Sequence, residues 1–498
     1  MRRLFDRKPA WIVGMAFCFG LLFVPDLLGA GGPAKVYVIL WFDTEDYILP
    51  ASDDSALRLA QFLSRQKIRA TFKVVGEKAR TLERRGRTDV IAALKRHEIG
   101  YHANYHSVQP SPAMYLSNLG WDEGVAEFDR REGPGRDDVE RIFGRAPTCY
   151  GQPGSSWAPE SYPAMRRWGM QVYLDAGRHV GLEDKPFYYG GILNLYRLTY
   201  ILRADLKDPK KLPEAEKTFL TARQHLLAEG GGIVSIFYHP CEFIHEEFWD
   251  GVNFRQGANP PRERWQLPPL KPPEQRKIAY QVFEDYIRFI QHFPEVQFIT
   301  ASEAAQLYRD QARGKHFTPG EIRAVAAGVG PQVTFQRRDN YTLSASEEFA
   351  LLNAYVAARA RGKKPEALEL KDQLDGPSNP VPVLTEPVTV DWSLFTRTAV
   401  DTADYLARQK RIPTSVWLGS VPVPPEAYLN ALARVTMDLT DGKPAPENVT
   451  VPLARLAAAD DVAEDNPKLW TWVIFPPGFR APRMMELAKR EAWTLKPA

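Results

Sequence analysis

Two histidines, His102 and His106, have the spacing of metal ligands. They directly follow a short strand-like segment at residues 98–101. Four residues apart on a helical turn, their imidazoles would lie on one face and could bind a single ion. The spacing is only moderately specific, so a second feature is needed to separate a metal site from a pair of surface histidines.

A cluster of carboxylates provides that second feature. It follows the apolar, β-branched run at residues 35–42 and comprises Asp43, Glu45 and Asp46. Charges that emerge directly from a buried strand differ from those of an ordinary charged loop. One of these carboxylates and the two imidazoles would form a set that leaves coordination positions for water and substrate. A second carboxylate could then act as a base on the metal-bound water.

At a third site, His239 follows the strand-like run at residues 233–238. From residue 35 to about residue 313, strand-like and helix-like segments alternate, which predicts an α/β fold with a parallel sheet, open or closed into a barrel. In such folds the loops at the carboxyl ends of the strands carry the chemistry. The carboxylate cluster and the histidines fall at such ends.

Hydrophobic periodicity sets the predicted elements. The predicted strands are residues 35–42, 68–75, 98–101, 171–174, 233–238 and 296–300. The predicted helices of this part are residues 55–66, 88–96, 159–168, 214–229, 275–292 and 302–308. Beyond residue 318 the pattern becomes mostly helical, with helices at residues 344–361, 395–409 and 424–435.

Five segments in sequence order resemble the motifs of one enzyme family. They read FDTED, EIGYHANYHS, YGQPGSSW, LDAG and IFYHP. Their order and spacing are similar to those of the polysaccharide deacetylases of carbohydrate esterase family 4, the NodB-homology domain, in the branch whose first motif is Asp-x-Glu. The resemblance covers residues 36–308 and implies a distorted (β/α)7 barrel.

The resemblance implies a hydrolase of carbon–nitrogen bonds. Its substrate would be an N-acetylated polysaccharide, either peptidoglycan of the cell wall or an extracellular exopolysaccharide. Its cofactor would be a divalent transition metal, with Zn²⁺ as the preferred ion. His102 and His106 would bind the metal with Glu45 or, alternatively, Asp46. Metal-bound water would attack the acetamide. Asp43 would be the general base and His239 the general acid that protonates the leaving amine.

Further roles follow from the same resemblance. Asp175 would pair with His239, Gly154 would offer its backbone N–H to the oxyanion, and Phe237 would line the pocket for the acetyl methyl group. Trp157 and Trp249 are expected at the substrate, where aromatic rings stack on sugars. The alternative for such loop aromatics is packing onto the barrel.

One position departs from the family pattern. Gly151 stands where the third motif has an arginine that orients the base. Another arginine, such as Arg178, could replace it. Otherwise the resemblance implies a divergent member with altered substrate or weak activity.

Three segments are expected along the 498 residues. Residues 1–30 resemble an export signal, because basic residues precede an apolar run of about fourteen residues, short of the ~20 that span a bilayer. Cleavage is expected, with an uncleaved anchor as the alternative, which predicts a secreted or periplasmic protein. Residues 34–313 would be the catalytic domain. Residues 314–498 would be a smaller, mostly helical accessory domain that could bind cell wall or carbohydrate.

Composition excludes some partners. A formal net charge of +3 leaves no basic field for a nucleic acid, and beyond the leader no apolar stretch predicts contact with a membrane. Cys149 and Cys241 could form a disulfide in an oxidising compartment or remain buried thiols.

Three other functions compete with the deacetylase. The first is a different amide hydrolase on the same barrel, and the second is a barrel that binds carbohydrate without catalysis. The third is a glycosidase. It is disfavoured because carboxylates two residues apart on one strand end point the same way, whereas glycosidase carboxylates flank the bond.

Overall fold

A computed structural model describes residues 33–371 and 373–498. The predicted export signal at residues 1–30 lies outside the described residues. Among the described residues, no helix combines the length and the apolarity that a membrane crossing requires.

One large sheet organises the first part of the chain. Its strands are β1 (Val36–Thr44), β2 (Thr71–Val74), β3 (Glu98–Tyr101), β4 (Cys149–Tyr150), β5 (Val172–Leu174), β6 (Phe187–Tyr189), β7 (Ile192–Leu195), β8 (Ile201–Leu202), β9 (Gly232–Tyr238) and β10 (Val296–Ile299). Their order is β6-β7-β5-β4-β3-β2-β1-β9-β8, with β10 beside the first half of β1. Except for the antiparallel hairpin of β6 and β7, these strands pair in parallel, as predicted.

The sheet is curled. Successive residues of a strand point to opposite faces. In β1, Val38 and Leu40 pack in the core shared with the outer helices, whereas Ile39 belongs to an inner cluster. That inner cluster also contains Leu174 of β5 and Leu193 of β7, strands that are not neighbours of β1 in the sheet. This confirms the predicted distorted barrel, although the hydrogen-bonded path among the described strands does not close.

Helices cover the outside of the barrel. They are α1 (Pro50–Arg65), α2 (Gly76–Arg84), α3 (Thr88–Leu94), α4 (Pro112–Leu116), α5 (Trp121–Phe143), α6 (Ser161–Arg167), α7 (Leu212–Ala228), α8 (Trp249–Phe254), α9 (Pro273–Gln291) and α10 (Ala301–Leu307). The predicted helices of this region are present with ends shifted by a few residues. The long α5 was not predicted, because its Gly133-Pro134-Gly135 segment has the composition of a turn.

The register of the strands gathers the reactive residues at one rim. In the β1–β2 pair, Asp43 lies opposite Lys73. In the β1–β9 pair, Phe42 lies opposite Tyr238, so that Asp43 and His239 leave the sheet side by side. Because β1 continues its pairing with β2 as far as Thr44, Asp43 stands on the strand itself. The prediction had ended this strand at residue 42.

The remaining chain forms a second, mostly helical part, as predicted. Its helices are α11 (Pro319–Gly328), α12 (Ala345–Ala360), α13 (Trp392–Gln409) and α14 (Pro425–Thr440). Short strand pairs accompany them: β11 (His316–Phe317), β12 (Gln332–Val333), β13 (Gln336–Arg337), β14 (Thr342–Leu343), β15 (Leu368–Glu369), β16 (Val388–Asp391), β17 (Val416–Leu418), β18 (Val421–Val423), β19 (Asn448–Val451) and β20 (Arg455–Leu456). Phe349, Phe395 and Tyr428 lie buried in its core.

The end of the chain returns to the barrel. Helix α15 (Pro482–Glu491) places Met484 in the barrel's outer core, and Leu495 follows it there. Strand β21 (Lys496–Pro497) then joins the edge of the large sheet, antiparallel to β6. The predicted division at residues 313 and 314 remains a prediction, but the last forty residues pack on both parts.

Candidate active site

Three side chains converge at the rim of the barrel in what we call the histidine group: Glu45, His102 and His106. Glu45 Oε2 lies 2.9 Å from His106 Nε2 and 3.9 Å from His102 Nε2. All three residues are buried, and their potential ligand atoms lie within 4.8 Å of one another. Two imidazole nitrogens and one carboxylate at such distances match the ligand set of a catalytic zinc site.

Hydrogen bonding fixes which nitrogen of His102 faces this group. Its Nδ1 lies 2.9 Å from the carbonyl oxygen of Gly151, which can only accept, so Nδ1 carries the proton. The Nε2 atom is buried and has no hydrogen-bond partner. Burial lowers the pKa of His102, although the nearby Asp43 carboxylate acts in the opposite direction. The lowered pKa keeps the ring neutral. A lone pair on a neutral, oriented imidazole is what a metal ligand requires, so the group fits the predicted divalent ion.

His106 reaches the group through a loop. The predicted helical turn over residues 102–106 is wrong, because the carbonyl groups of Ala103 and Asn104 accept hydrogen bonds from the backbone N–H groups at the start of α2. Those carbonyls are therefore not available for helical bonding. His106 adopts a positive φ of 57°, a left-handed conformation that is uncommon for a residue other than glycine. Its Nδ1 lies 2.7 Å from Ser107 Oγ.

Asp46, the alternative third ligand, faces away from the two histidines. Its Oδ1 accepts the backbone N–H groups of Ile48 and Leu49. Its Oδ2 lies 3.1 Å from Nε2 of His245, a fully buried pair. The geometry therefore favours Glu45 over Asp46 as the carboxylate of the histidine group.

A second cluster, the lysine group, lies beside the first and comprises Asp43, Asp175 and Lys73. Lys73 Nζ lies 2.9 Å from Asp43 Oδ1 and 2.7 Å from Asp175 Oδ2, and its side chain is fully buried. The ammonium also lies 4.1 Å from the centre of the Trp41 ring. Burial alone would lower the pKa of Lys73, but the two carboxylates outweigh it and raise that pKa.

Gly151 leaves the space that the lysine fills. A Cβ at this position would lie 2.1 Å from Lys73 Nζ and 2.4 Å from Asp175 Oδ2. Lys73 of β2 thus occupies this space, and Arg178, the suggested substitute for the arginine, is exposed. Sequence reasoning missed Lys73, although a charged residue in the middle of the buried strand Thr71–Val74 was a usable signal.

The charges around Asp43 keep it ionised. Burial raises its pKa, but the charges of its neighbours, among them the Lys73 ammonium at 2.9 Å, lower it below the ordinary value. Glu45 shows the same balance: burial raises its pKa, and His106 and His239 bring it well below the ordinary value. Both carboxylates are therefore anionic at neutral pH.

His239 lies next to both clusters. Its Nε2 is 3.6 Å from Asp43 Oδ2 and 3.9 Å from Glu45 Oε2. Its predicted pairing with Asp175 is wrong, because Asp175 is held by Lys73, and His239 Nδ1 instead lies 3.4 Å from Glu242 Oε2. Burial would lower the pKa of His239, but Glu45, Glu242 and Asp43 outweigh it and raise that pKa to about 9. The Glu three residues after His239 was the missed signal.

Of the predicted substrate-binding aromatics, only Phe237 keeps an exposed edge at the site. Its ring stacks on Trp41 at 4.7 Å and lies 6.1 Å from the His239 ring. Trp157 is fully buried in the outer core and stacks on His179. Trp249 is fully buried under the histidine group, with its ring 5.9 Å from that of His106. Stacking of these two tryptophans on a sugar is therefore wrong, and the packing alternative holds.

A segment from the end of the chain covers part of the rim. The ring of Trp472 lies against Gly154, where a Cβ would be 2.2 Å from the indole, and 5.0 Å from the His106 ring. Its Nε1 donates to Asp250 Oδ2 at 2.6 Å, and its backbone N–H donates to Ser155 Oγ at 3.0 Å. This wall, more than 300 residues away from the histidines along the chain, could not be predicted from local patterns. The oxyanion role of Gly154 remains a prediction.

The two described cysteines are free thiols. Cys149 is buried inside the barrel, and Cys241 lies with its Sγ 3.9 Å from Glu45 Oε1. The alternative of a disulfide between them is therefore wrong. Burial raises the pKa of both thiols well above the ordinary value.

Comparison with known proteins gives no family assignment. No protein-family model matches the chain. No curated protein matches it.

This chain is weakly similar to solved structures of proteins with different activities. One is a probable polysaccharide deacetylase from Pseudomonas aeruginosa, at 14% identity over 57% of this chain and 97% of that chain, TM-score 0.37. Another is the Puue allantoinase, at 14% identity over 57% and 96%, TM-score 0.36. A third is a 4-alpha-glucanotransferase from Thermococcus litoralis, at 10% identity over 82% and 60%, TM-score 0.38. At such scores the likenesses carry no argument, and function must be argued from the geometry.

Proposed function

We propose that the protein is a metal-dependent hydrolase that removes acetyl groups from the amines of a carbohydrate. One observation carries the proposal. The buried histidine group, with an unpartnered imidazole nitrogen, lies directly beside an ionised Asp43 and the imidazole of His239. These are the ligands, the base and the acid that hydrolysis of an amide requires.

The cofactor would be a divalent transition metal, with Zn²⁺ matching the two imidazoles and one carboxylate. Glu45, His102 and His106 would hold it. Such an ion supplies polarisation of the amide carbonyl and water with a pKa near ~7.

Asp43 and His239 divide the proton transfers. Asp43 is ionised and accepts a proton from the attacking water, as a general base must. His239, whose pKa is raised to about 9, is protonated at neutral pH and can donate to the departing amine. Their side chains lie 3.6 Å apart, so one substrate amide can be within reach of both.

The substrate class comes from the resemblance of the motifs. Glu242, the partner of His239, also lines an open cavity of about 420 Å³ with Arg203, Asp205, Lys207 and Lys271. We place the substrate among N-acetylated wall or extracellular polysaccharides, and the protein outside the cytoplasm, as the leader sequence predicts. The barrel part would carry the reaction, and residues 314–498 would be accessory except for the Trp472 segment.

A barrel that only binds carbohydrate is less consistent with these contacts. Burying several ionisable groups costs several kcal/mol per ion, and sugar binding does not require them. A small-amide hydrolase uses the same machinery, so the experiment must separate it from the deacetylase.

Acetate release by the zinc-loaded protein tests the proposal. Chito-oligosaccharides and peptidoglycan fragments should yield acetate and a free amine, and Asp43→Asn should lower this rate at least about 100-fold. Turnover of a small cyclic amide, without acetate release from any acetylated sugar, would show that the protein is a small-amide hydrolase and not a deacetylase. Absence of both reactions in a zinc-loaded, folded protein would contradict the proposal.

A further inference from the structure

The rim of the barrel offers two positions for a cation. One is the histidine group. In the other, the ligand atoms of Asp43, His102 and Asp175 also lie within 4.8 Å of one another. Two carboxylates and an imidazole at these distances are a ligand set that can bind a metal ion. The same space, however, holds the ammonium of Lys73.

The lysine is built into this position. It is fully buried, contacts both carboxylates at hydrogen-bond distance and rests on the Trp41 ring. The missing side chain at Gly151 provides the room, since a Cβ there would overlap Nζ. A buried ammonium is stable only with such partners, and two buried carboxylates this close are both ionised only with a cation between them.

We propose that the Lys73 ammonium is the resident cation of the Asp43–Asp175 pair, which excludes a second metal ion from the rim and holds Asp43 toward the histidine group as a base. The exclusion of metal stands independently of the proposed function. The positioning of the base rests on that function. Lys73 acts through Asp43 and is therefore a positioning residue.

A second buried lysine provides a matched control. Lys496 Nζ lies 2.8 Å from Asp310 Oδ2 and 2.8 Å from Glu347 Oε1, and its side chain is almost fully buried. It belongs to β21 at the opposite edge of the sheet from β1 and β9. Lys496→Ala therefore removes the same kind of buried ammonium and leaves a similar cavity, but it does not change the rim.

Metal stoichiometry tests the first half. At about pH 8, where protons compete little for the carboxylates, the wild-type protein should bind one Co²⁺ per chain. Lys73→Ala should bind a second Co²⁺, seen as a second step in a titration followed by visible absorption, and Lys496→Ala should bind one. A single step in Lys73→Ala, at unchanged affinity, would overturn the exclusion. This result does not depend on deacetylase activity, so it stands if the proposed function fails.

Chemical rescue tests the second half. In the zinc-loaded protein at one equivalent of metal, Lys73→Ala should lower kcat on the order of 100-fold, and Lys496→Ala should leave kcat near wild type. Ethylammonium should restore part of the lost rate by entering the cavity, whereas ethanol of similar size should not. Equal rescue by both compounds, or equal losses in the two alanine variants, would show a merely structural role and overturn the positioning of Asp43.

Discussion

The histidine group and the lysine group lie side by side at one rim, are equally buried, and each gathers ligand-type atoms within a metal's reach. They differ in how their atoms are satisfied. In the lysine group, one carboxylate oxygen of Asp43 and one of Asp175 each lie less than 3 Å from Lys73 Nζ. In the histidine group, His102 Nε2 is buried without a partner. Ligand proximity alone therefore does not identify a metal site, because a cation of the protein itself can already occupy the space between the ligands.

Removing the two imidazoles should separate the groups most strongly. His102→Ala/His106→Ala should lose the bound metal and all measurable hydrolysis, because the remaining Glu45 cannot retain the ion alone. The lysine group should persist, since Lys73 still bridges its carboxylates. Metal analysis after dialysis measures the loss, and stoichiometric metal in the double variant would show that the ion binds elsewhere.

His239, the proposed acid beside both groups, should make kcat depend on pH. His239 has a pKa raised to about 9, so the donating, protonated form prevails at lower pH and disappears as pH rises through that value. We expect kcat to fall on this alkaline side. Glu242→Gln removes one of the carboxylates that raise the pKa and should move the fall to lower pH. A profile of kcat against pH for both proteins checks this, and an unmoved limb would exclude Glu242 as the partner.

A methyl group at Gly151 should disturb the lysine group most directly. Gly151→Ala would place Cβ 2.1 Å from Lys73 Nζ and 2.5 Å from the carbonyl oxygen of Leu174. We expect a loss of about 1–3 kcal/mol in unfolding free energy and a lower kcat, with one metal ion retained. Gly320→Ala, where nothing lies within 4 Å of the added Cβ, is the control. Thermal melts and kinetics measure both, and wild-type kcat in Gly151→Ala would contradict the need for an undisturbed Lys73.

The smallest effect is expected at the wall beside the histidine group. Trp472→Ala should raise KM for an oligosaccharide about two- to tenfold with metal affinity unchanged, because an aromatic wall is lost without a ligand. Trp417→Ala, at a tryptophan that is 59% exposed in the helical part, is the matched control. An increase confined to kcat, or equal effects of both variants, would remove Trp472 from the substrate path.

Much of this arrangement was predictable from the sequence. Apolar runs in the sequence predicted the buried strands. The reactive residues at the ends of these runs predicted a site at one rim, with Asp43, Glu45, His102, His106 and His239. The partners of these residues were not predictable. Lys73 acts from the inner face of a neighbouring strand, so its role depends on curvature and register. Trp472 arrives through the return of the chain end, which no local pattern encodes.

Two predictions failed for instructive reasons. Trp157 and Trp249 were expected on loops near the motifs, but both are fully buried, because a small change in the path of the chain decides between core and surface. Asp175 pairs with Lys73 and not with His239, since a buried carboxylate takes the nearest strong cation. Pairings of ionisable groups thus require the three-dimensional register, even where the residues themselves are recognisable.

Anomalous diffraction from crystals grown with one equivalent of Zn²⁺ tests the central claim most directly. We predict a single ion within ~2.0–2.2 Å of His102 Nε2, His106 Nε2 and a Glu45 carboxylate oxygen, with Lys73 still between Asp43 and Asp175. An ion bound between Asp43 and Asp175 with Lys73 displaced, or a well-ordered rim without zinc, would contradict the account.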